Sequence, residues 1–249
     1  MGEGAVCSLL PQGKNYFYDD YSIWKVLDLE GRGEKLYNGD LVLDSNVAIA
    51  LSKVLHSGQA NKKERKSLGA LSRLFSASNI DEIDFTRLRA DIKVFNETLR
   101  GTGFGFPSVI KFYDTEGALE GHTNYSALMT EFAKYDLGIP VEALEKRRSE
   151  QGDYMSDRMI VARAILATEE GGETAFITAD SNIWSALCQL SVECRKAVPV
   201  RVKTKKTNKG KKERRFACPP VGLFPSGFIV EFGGRKLRVH AVIDRKKCG

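Results

Sequence analysis

The chain has 249 residues, 42% of them hydrophobic and 28% charged, with a formal net charge of +6. That suffices for one sizeable core, or one domain with a small appendage, and no run of about 18 apolar residues exists to form a transmembrane helix. The five cysteines are odd in number and form no C-x-x-C pair, so with only His56, His122 and His240 beside them the expectation is no zinc site, no disulfide framework and a reducing, cytoplasmic setting.

Residues 1–38 read as an N-terminal β-rich extension, with alternation in "SIWKVLDL" broken by "EGRGE" and a turn at Asn38-Gly39. Their first residues lack the basic flank and apolar stretch of a signal peptide. A short strand, Leu41-Val42-Leu43, then runs into Asp44, and helical spacing follows to Gly58. A second helix is expected over 61–78, with Leu68, Leu71, Leu74 and Phe75 on one side. A third is expected over 84–101, where Phe85, Leu88, Ile92, Phe95 and Leu99 keep a helical period up to Gly101.

"PSVIKFYD" (107–114) reads as a strand ending in Asp114, with Glu116 just beyond it. The segment from 115 to 138 is largely helical in pattern, and another helix opens at Pro140. In "MSDRMIVARAILATEEGG", Ser156 is the expected N-cap, and Asp157 lies in the first turn in line with Ile160, Val161, Ala164 and Ile165. A strand over 174–178 runs into Asp180 and a helix over 182–190. Beyond Val198 the helical period is lost, and "SGFIVEFGG" and "RKLRVHAVID" read as strands joined by a Gly233-Gly234 turn. Strands alternating with helices predict a three-layer α/β/α domain with a mainly parallel sheet over residues 39–197, followed by a small basic β-rich C-terminal segment, 198–249.

Charge follows the same division. Residues 198–249 hold 15 Lys and Arg against 3 Asp and Glu, whereas the rest of the chain holds 23 against 29. The densest run, "KTKKTNKGKKERR", contributes Lys203, Lys205, Lys206, Lys209, Lys211, Lys212, Arg214 and Arg215. Such a run is either a solvated, mobile loop or a contact for a polyanion, of which nucleic acid is the commonest.

The acids carry the chemistry. In open parallel sheets ligands collect beyond the carboxyl ends of the strands, and Asp44, Asp114 with Glu116, and Asp180 all stand at such ends. If these strands are neighbours, the acids and Asp157 converge in one cleft. Two carboxylates about 4 Å apart repel by roughly 4 kcal/mol at an effective dielectric near 20, so protons or divalent cations must neutralise the group. An all-oxygen set suits Mg²⁺ or Mn²⁺, and a pair of such ions is a usual means of hydrolysing a phosphodiester. Each acid also has a plain reading: Asp44 and Asp180 as helix N-caps, Asp157 as a partner of the helix dipole. Ser45 or Ser181 can cap instead. Asn46 and Asn182 read as local hydrogen-bonders or supports for metal-bound water, and the Thr178 hydroxyl is placed to orient Asp180.

"LVLDSNVAIALSKVL", "SDRMIVARAILA" and "AFITADSNIW" resemble, in order, the first, third and fourth motifs of the PIN-domain family. The resemblance implies a metal-dependent ribonuclease, endonucleolytic in the reading adopted here, on a Rossmann-like α/β/α sheet. It carries the family's metal-binding role onto Asp44, Asp157 and Asp180. The family's second acid, a Glu near the start of the helix after the second strand, has no clear counterpart: Asp114 fits by position and Glu116 by type, while Glu97 fits less well inside what reads as a long helix. RNA is the implied substrate, with DNA not excluded and no membrane contact; a homodimer and an inhibitory protein partner of unknown identity stay open. Two other readings compete: a non-catalytic nucleic-acid-binding module of the same fold, and a small-molecule phosphotransferase or nucleotide binder. The last lacks both G-x-x-x-x-G-K-[ST] and a G-x-G-x-x-G following a strand, since "GTGFGF" (101–106) follows a helix.

Overall fold

In the computed structural model the described residues are 36, 39–58, 60–77, 82–103, 110–113, 123–134, 156–198, 202–206, 212–216 and 219–243. The expected strands before residue 36, the expected helix from Pro140, Asp114, Glu116, Lys209 and Lys211 lie outside them.

The first strand, β1 (Leu41–Leu43), is buried over Val42 and Leu43 and gives way at Asp44 to helix α1 (Ser45–Ser57). Gly58 ends α1 at φ +63°, returning its N–H to the Val54 carbonyl, a left-handed stop that suits glycine. Helix α2 (Lys62–Leu74) opens with a capping box in which Asn61 and Glu64 bond each other's backbone N–H groups. It buries Leu68 and Leu71 but leaves Leu74 40% exposed, so the helix and its apolar stripe are shorter than expected.

The expected single helix over 84–101 is three elements. A 3₁₀ turn (Phe85–Arg87) leads into strand β2 (Leu88–Asp91), and helix α3 (Ile92–Thr102) follows. The apolar spacing fits a helix, but Leu88 and Ala90 also alternate with Arg89 as a strand does, and four residues are too few for periodicity to arbitrate. Pairing decides it: Leu88 and Arg89 lie opposite Leu41 and Val42 of β1. Asp91 then caps α3 by accepting the Lys93 N–H at 2.8 Å.

Strand β3 (Lys111–Tyr113), helix α4 (Thr123–Lys134), helix α5 (Ser156–Ala167) and strand β4 (Glu173–Thr178) come next. Ile160, Val161, Ala164 and Ile165 of α5 are buried, as their spacing predicts. Helices α6 (Ser181–Leu190) and α7 (Val192–Ala197) follow β4, joined by Ser191, which caps α7. The chain closes with a separate antiparallel ribbon, β5 (Val202–Lys206) with β6 (Lys212–Phe216), and a hairpin, β7 (Phe228–Phe232) with β8 (Arg235–Ala241). Gly233 and Gly234, at φ +56° and +74°, make the expected two-residue turn of that hairpin.

The main sheet has six strands in the order β3-β2-β1-β4-β8-β7, all parallel except β7. The fold is therefore α/β with a mostly parallel, mixed sheet. One expectation needs correction. The compositional border at Val198 is no border in the sheet, since β8 pairs along the whole of β4, from Glu173↔Lys236 to Thr178↔Ala241. Charge marks what faces solvent, whereas Leu237 and Val239 of β8 are fully buried and belong to the core. "VPVRVKT" reads as a strand in the sequence, and Val202–Lys206 is one: Lys203 lies opposite Arg215 and Lys206 opposite Lys212 in the β5–β6 ribbon, while residues 207–211 of the basic run lie outside the described residues.

Trp184 of α6 is fully buried, 4.5 Å from the ring of Phe228 and 6.2 Å from that of Phe224, and its indole N–H donates to the Pro219 carbonyl at 3.0 Å. That bond ties the chain returning from the ribbon to the helix that begins at Asp180.

No disulfide was expected, yet Cys188 of α6 and Cys194 of α7 are joined, with Cα atoms 5.2 Å apart. The break at Ser191 turns the chain so that one buried thiol meets the other, a geometry that spacing alone does not reveal. With the chain unfolded and unreduced, a maleimide reagent should leave Cys188 and Cys194 unmodified, and prior reduction should expose both. Replacing the pair by serine should cost about 2 kcal/mol for a loop this short, read as a lowered unfolding midpoint in denaturant.

Candidate metal centre

Strand order reverses between β1 and β4: the chain moves outward from β1 to β2 and β3, then returns to place β4 on the other side of β1. The carboxyl ends of β1 and β4 therefore flank the switch point where open sheets of this kind form a crevice. Each strand ends in an acid followed by Ser-Asn and a helix: Asp44 before α1, Asp180 before α6.

The two acids are treated differently. Asp180 is the N-cap of α6, accepting the Asn182 N–H at 2.6 Å, and remains partly exposed. Asp44 occupies the cap position of α1 but makes no side-chain cap bond. Its carboxylate is 1% exposed and accepts the Thr178 hydroxyl at 2.8 Å, while the Asp180 N–H donates to that same hydroxyl oxygen at 3.0 Å. One threonine oxygen thus joins the Asp44 side chain to the Asp180 backbone, which puts the two acids in one cleft. Thr178 orients Asp44 through its hydroxyl and Asp180 only through the backbone.

Asp157, in the first turn of α5, lies near enough to these acids for their charges to act on one another. Burial raises its carboxyl to about 6, and the charges of Asp180 and Glu97 add to the rise. Burial raises Asp44 to about 7; the Thr178 hydrogen bond opposes this, and the Asp157 and Asp180 charges reinforce it. The mutual effects define the set: Asp44 feels Asp157 and Asp180, and Asp157 feels Asp180 and Glu97.

Glu97 is the residue that sequence reasoning set aside. It stands on α3, the helix after β2, and its carboxylate accepts a hydrogen bond from the Ser45 hydroxyl. With 84–101 read as one helix, Glu97 had no strand before it. The signal was present as the Leu88–Ala90–Ile92 alternation leading to Asp91, itself a good N-cap. Asn46 and Asn182 are both exposed in the first turns of their helices, and neither supplies its helix cap.

The four acids offer only oxygen donors, the set that Mg²⁺ or Mn²⁺ takes. Two of them hold protons into the neutral range because their negative charge is crowded and poorly solvated, the condition a bound cation relieves. In kind and in charge the residues fit a divalent ion. Among the described residues, no three acid, His or Cys side chains are yet gathered as a ready ligand set.

Compared with models of known protein families, with curated proteins and with solved structures, the chain matches none.

The raised Asp44 carboxyl has a consequence for the metal-free chain. Between the unfolded value of 3.8 and the folded value of about 7, the unfolded state ionises Asp44 and the folded state does not. The Asp44 contribution should thus be intact below pH ~4 and fall by about 1.4 kcal/mol per pH unit until pH ~7, roughly 4 kcal/mol in all, and the raised Asp157 carboxyl adds to the fall up to pH ~6. Denaturant unfolding in the presence of a chelator should show a fall across this range, and Asp44→Asn should remove it between pH ~6 and ~7 and lessen it below.

Proposed function

We propose that the chain is a metal-dependent nuclease of the PIN-like type, hydrolysing phosphodiester bonds of RNA endonucleolytically on a Rossmann-like α/β/α scaffold. The observation that carries this reading is the junction of Asp44 and Asp180 through Thr178 at the ends of adjacent parallel strands, with the charges of Asp157 and Glu97 acting on the same group. Those four acids would hold Mg²⁺ or Mn²⁺. An ion held there would lower the pKa of a water for attack on the phosphate and would offset the charge that develops on it. The chain's own part is to hold the donors: Thr178 fixes the Asp44 carboxylate, Ser45 fixes that of Glu97, and the N-terminus of α6 fixes Asp180.

The ribbon β5–β6, rich in lysine and arginine, serves to hold the phosphates of the substrate against the acidic balance of residues 1–197. Binding by such a run releases counterions and weakens steeply with salt. The second reading, a nucleic-acid-binding module without catalysis, draws on the absence of an assembled three-ligand set among the described residues. Calorimetry separates the two, since a binding-only chain takes up no Mn²⁺ in the cleft.

Asp44→Asn, Asp180→Asn and Glu97→Gln should each lower Mn²⁺-dependent cleavage of RNA by at least about a hundredfold while leaving the circular dichroism spectrum unchanged. Asn caps a helix as well as Asp does, so Asp180→Asn tests the charge and not the fold. Undiminished metal-dependent cutting by both purified Asp→Asn variants would sink the assignment.

A further inference from the structure

A second buried acid stands beside the cleft and takes no part in the set above. Asp91 ends β2 and is 0% exposed. One carboxylate oxygen caps α3 through the Lys93 N–H; the other lies 2.9 Å from Nε of Arg163 on α5, whose side chain is 2% exposed. The contact is an ion pair by distance, without the alignment of a hydrogen bond. Tyr113, buried at the end of β3, packs against it: burial and the Asp91 charge hold its phenol neutral, with Arg163 opposing. Its hydroxyl has no hydrogen bond among the described residues, so the phenol fills the space beside the pair without satisfying it.

We infer that the Asp91–Arg163 pair is a positioning device, setting the separation of Glu97 and Asp157 and so the affinity of the cleft for a divalent cation. This rests on the metal-dependent reading of that cleft. Glu97 lies six residues beyond Asp91, and Arg163 six beyond Asp157, about 9 Å along each helix. Helices α3 and α5 are thus joined directly by the ion pair, and the charge of Glu97 on one acts on Asp157 on the other. A helix is stiff over that length, so a displacement at the ion pair reaches the acids. The acids push apart until a cation binds; the pair holds the helices against that push.

Stability alone gives little reason for such a pair. Burying two charges costs desolvation that their attraction barely repays, and apolar residues of similar volume often do as well or better. The two roles can therefore be separated. In the full-length chain, Asp91→Asn combined with Arg163→Met removes both charges and keeps a side chain able to cap α3. Thermal unfolding with a chelator and calorimetric titration with MnCl₂ are then compared with the wild type. The double variant should unfold cooperatively near the wild-type midpoint and bind Mn²⁺ about tenfold more weakly or worse, the scale of loss when a group supporting a ligand is removed. A smaller change in affinity overturns the positioning role. Should the double variant not fold, Arg163→Lys, which keeps the charge but not the guanidinium, is judged by the same criterion. If the wild-type chain itself takes up no Mn²⁺, the metal reading fails, and the positioning role with it. Wild-type uptake with an unaltered double variant removes the positioning role alone.

Discussion

One hydroxyl group organises the centre of this molecule. Thr178 is the last residue of β4 and fully buried, and its oxygen donates to the Asp44 carboxylate while accepting the Asp180 N–H. Through it the ends of two neighbouring strands share a polar contact where the sheet reverses direction. Without that contact Asp44 would be an ionisable side chain sealed at 1% exposure with only its own helix terminus to face. With it, the carboxylate is aimed, and its negative charge is set against those of Asp157 and Asp180.

Around this point the architecture spends stability on proximity of like charge. Four acids come from four elements: Asp44 from the end of β1, Glu97 from α3, Asp157 from the start of α5 and Asp180 from the start of α6. Burial makes ionisation hard for Asp44 and Asp157; the charges of Asp157 and Asp180 make it harder at Asp44, and those of Asp180 and Glu97 at Asp157. A fold does not keep such a group for packing; apolar side chains would fill the same space at lower cost. In the proposed reading, a divalent cation would relieve that crowding. The Asp91–Arg163 pair stands just behind it, where a cation of the chain itself already neutralises a buried acid. Asp91 faces an arginine, whereas the Asp44 and Glu97 carboxylates accept from the Thr178 and Ser45 hydroxyls.

The C-terminal quarter serves two purposes in one stretch of chain. Its hairpin completes the main sheet, with β8 parallel to β4 and Phe228 packed on Trp184. Its ribbon concentrates basic residues and returns to the body at Pro219, bonded to Trp184 one turn beyond Asp180. In the proposed reading, this arm would supply the attraction for phosphates that the acidic cleft alone would reverse.

How much of this was legible in the residues differs from element to element. The sequence by itself determined the strand–acid–helix units at Asp44 and Asp180, the buried stripe of α5 with Asp157 at its head, and the Gly233-Gly234 hairpin. In each, local pattern and local chemistry agree: alternation or helical period ends at a residue suited to cap or turn. Tertiary structure alone decided that Leu88–Asp91 is a strand, because four residues take whichever conformation their neighbour β1 can pair with. That one choice placed Glu97 on the helix after the second strand and at the cleft. The union of Cys188 with Cys194, the partnership of Asp91 with Arg163 and the inclusion of β8 in the sheet were decided in the same way. All are contacts between segments whose own sequences are satisfied by more than one arrangement, and only the burial of a common core selects among them.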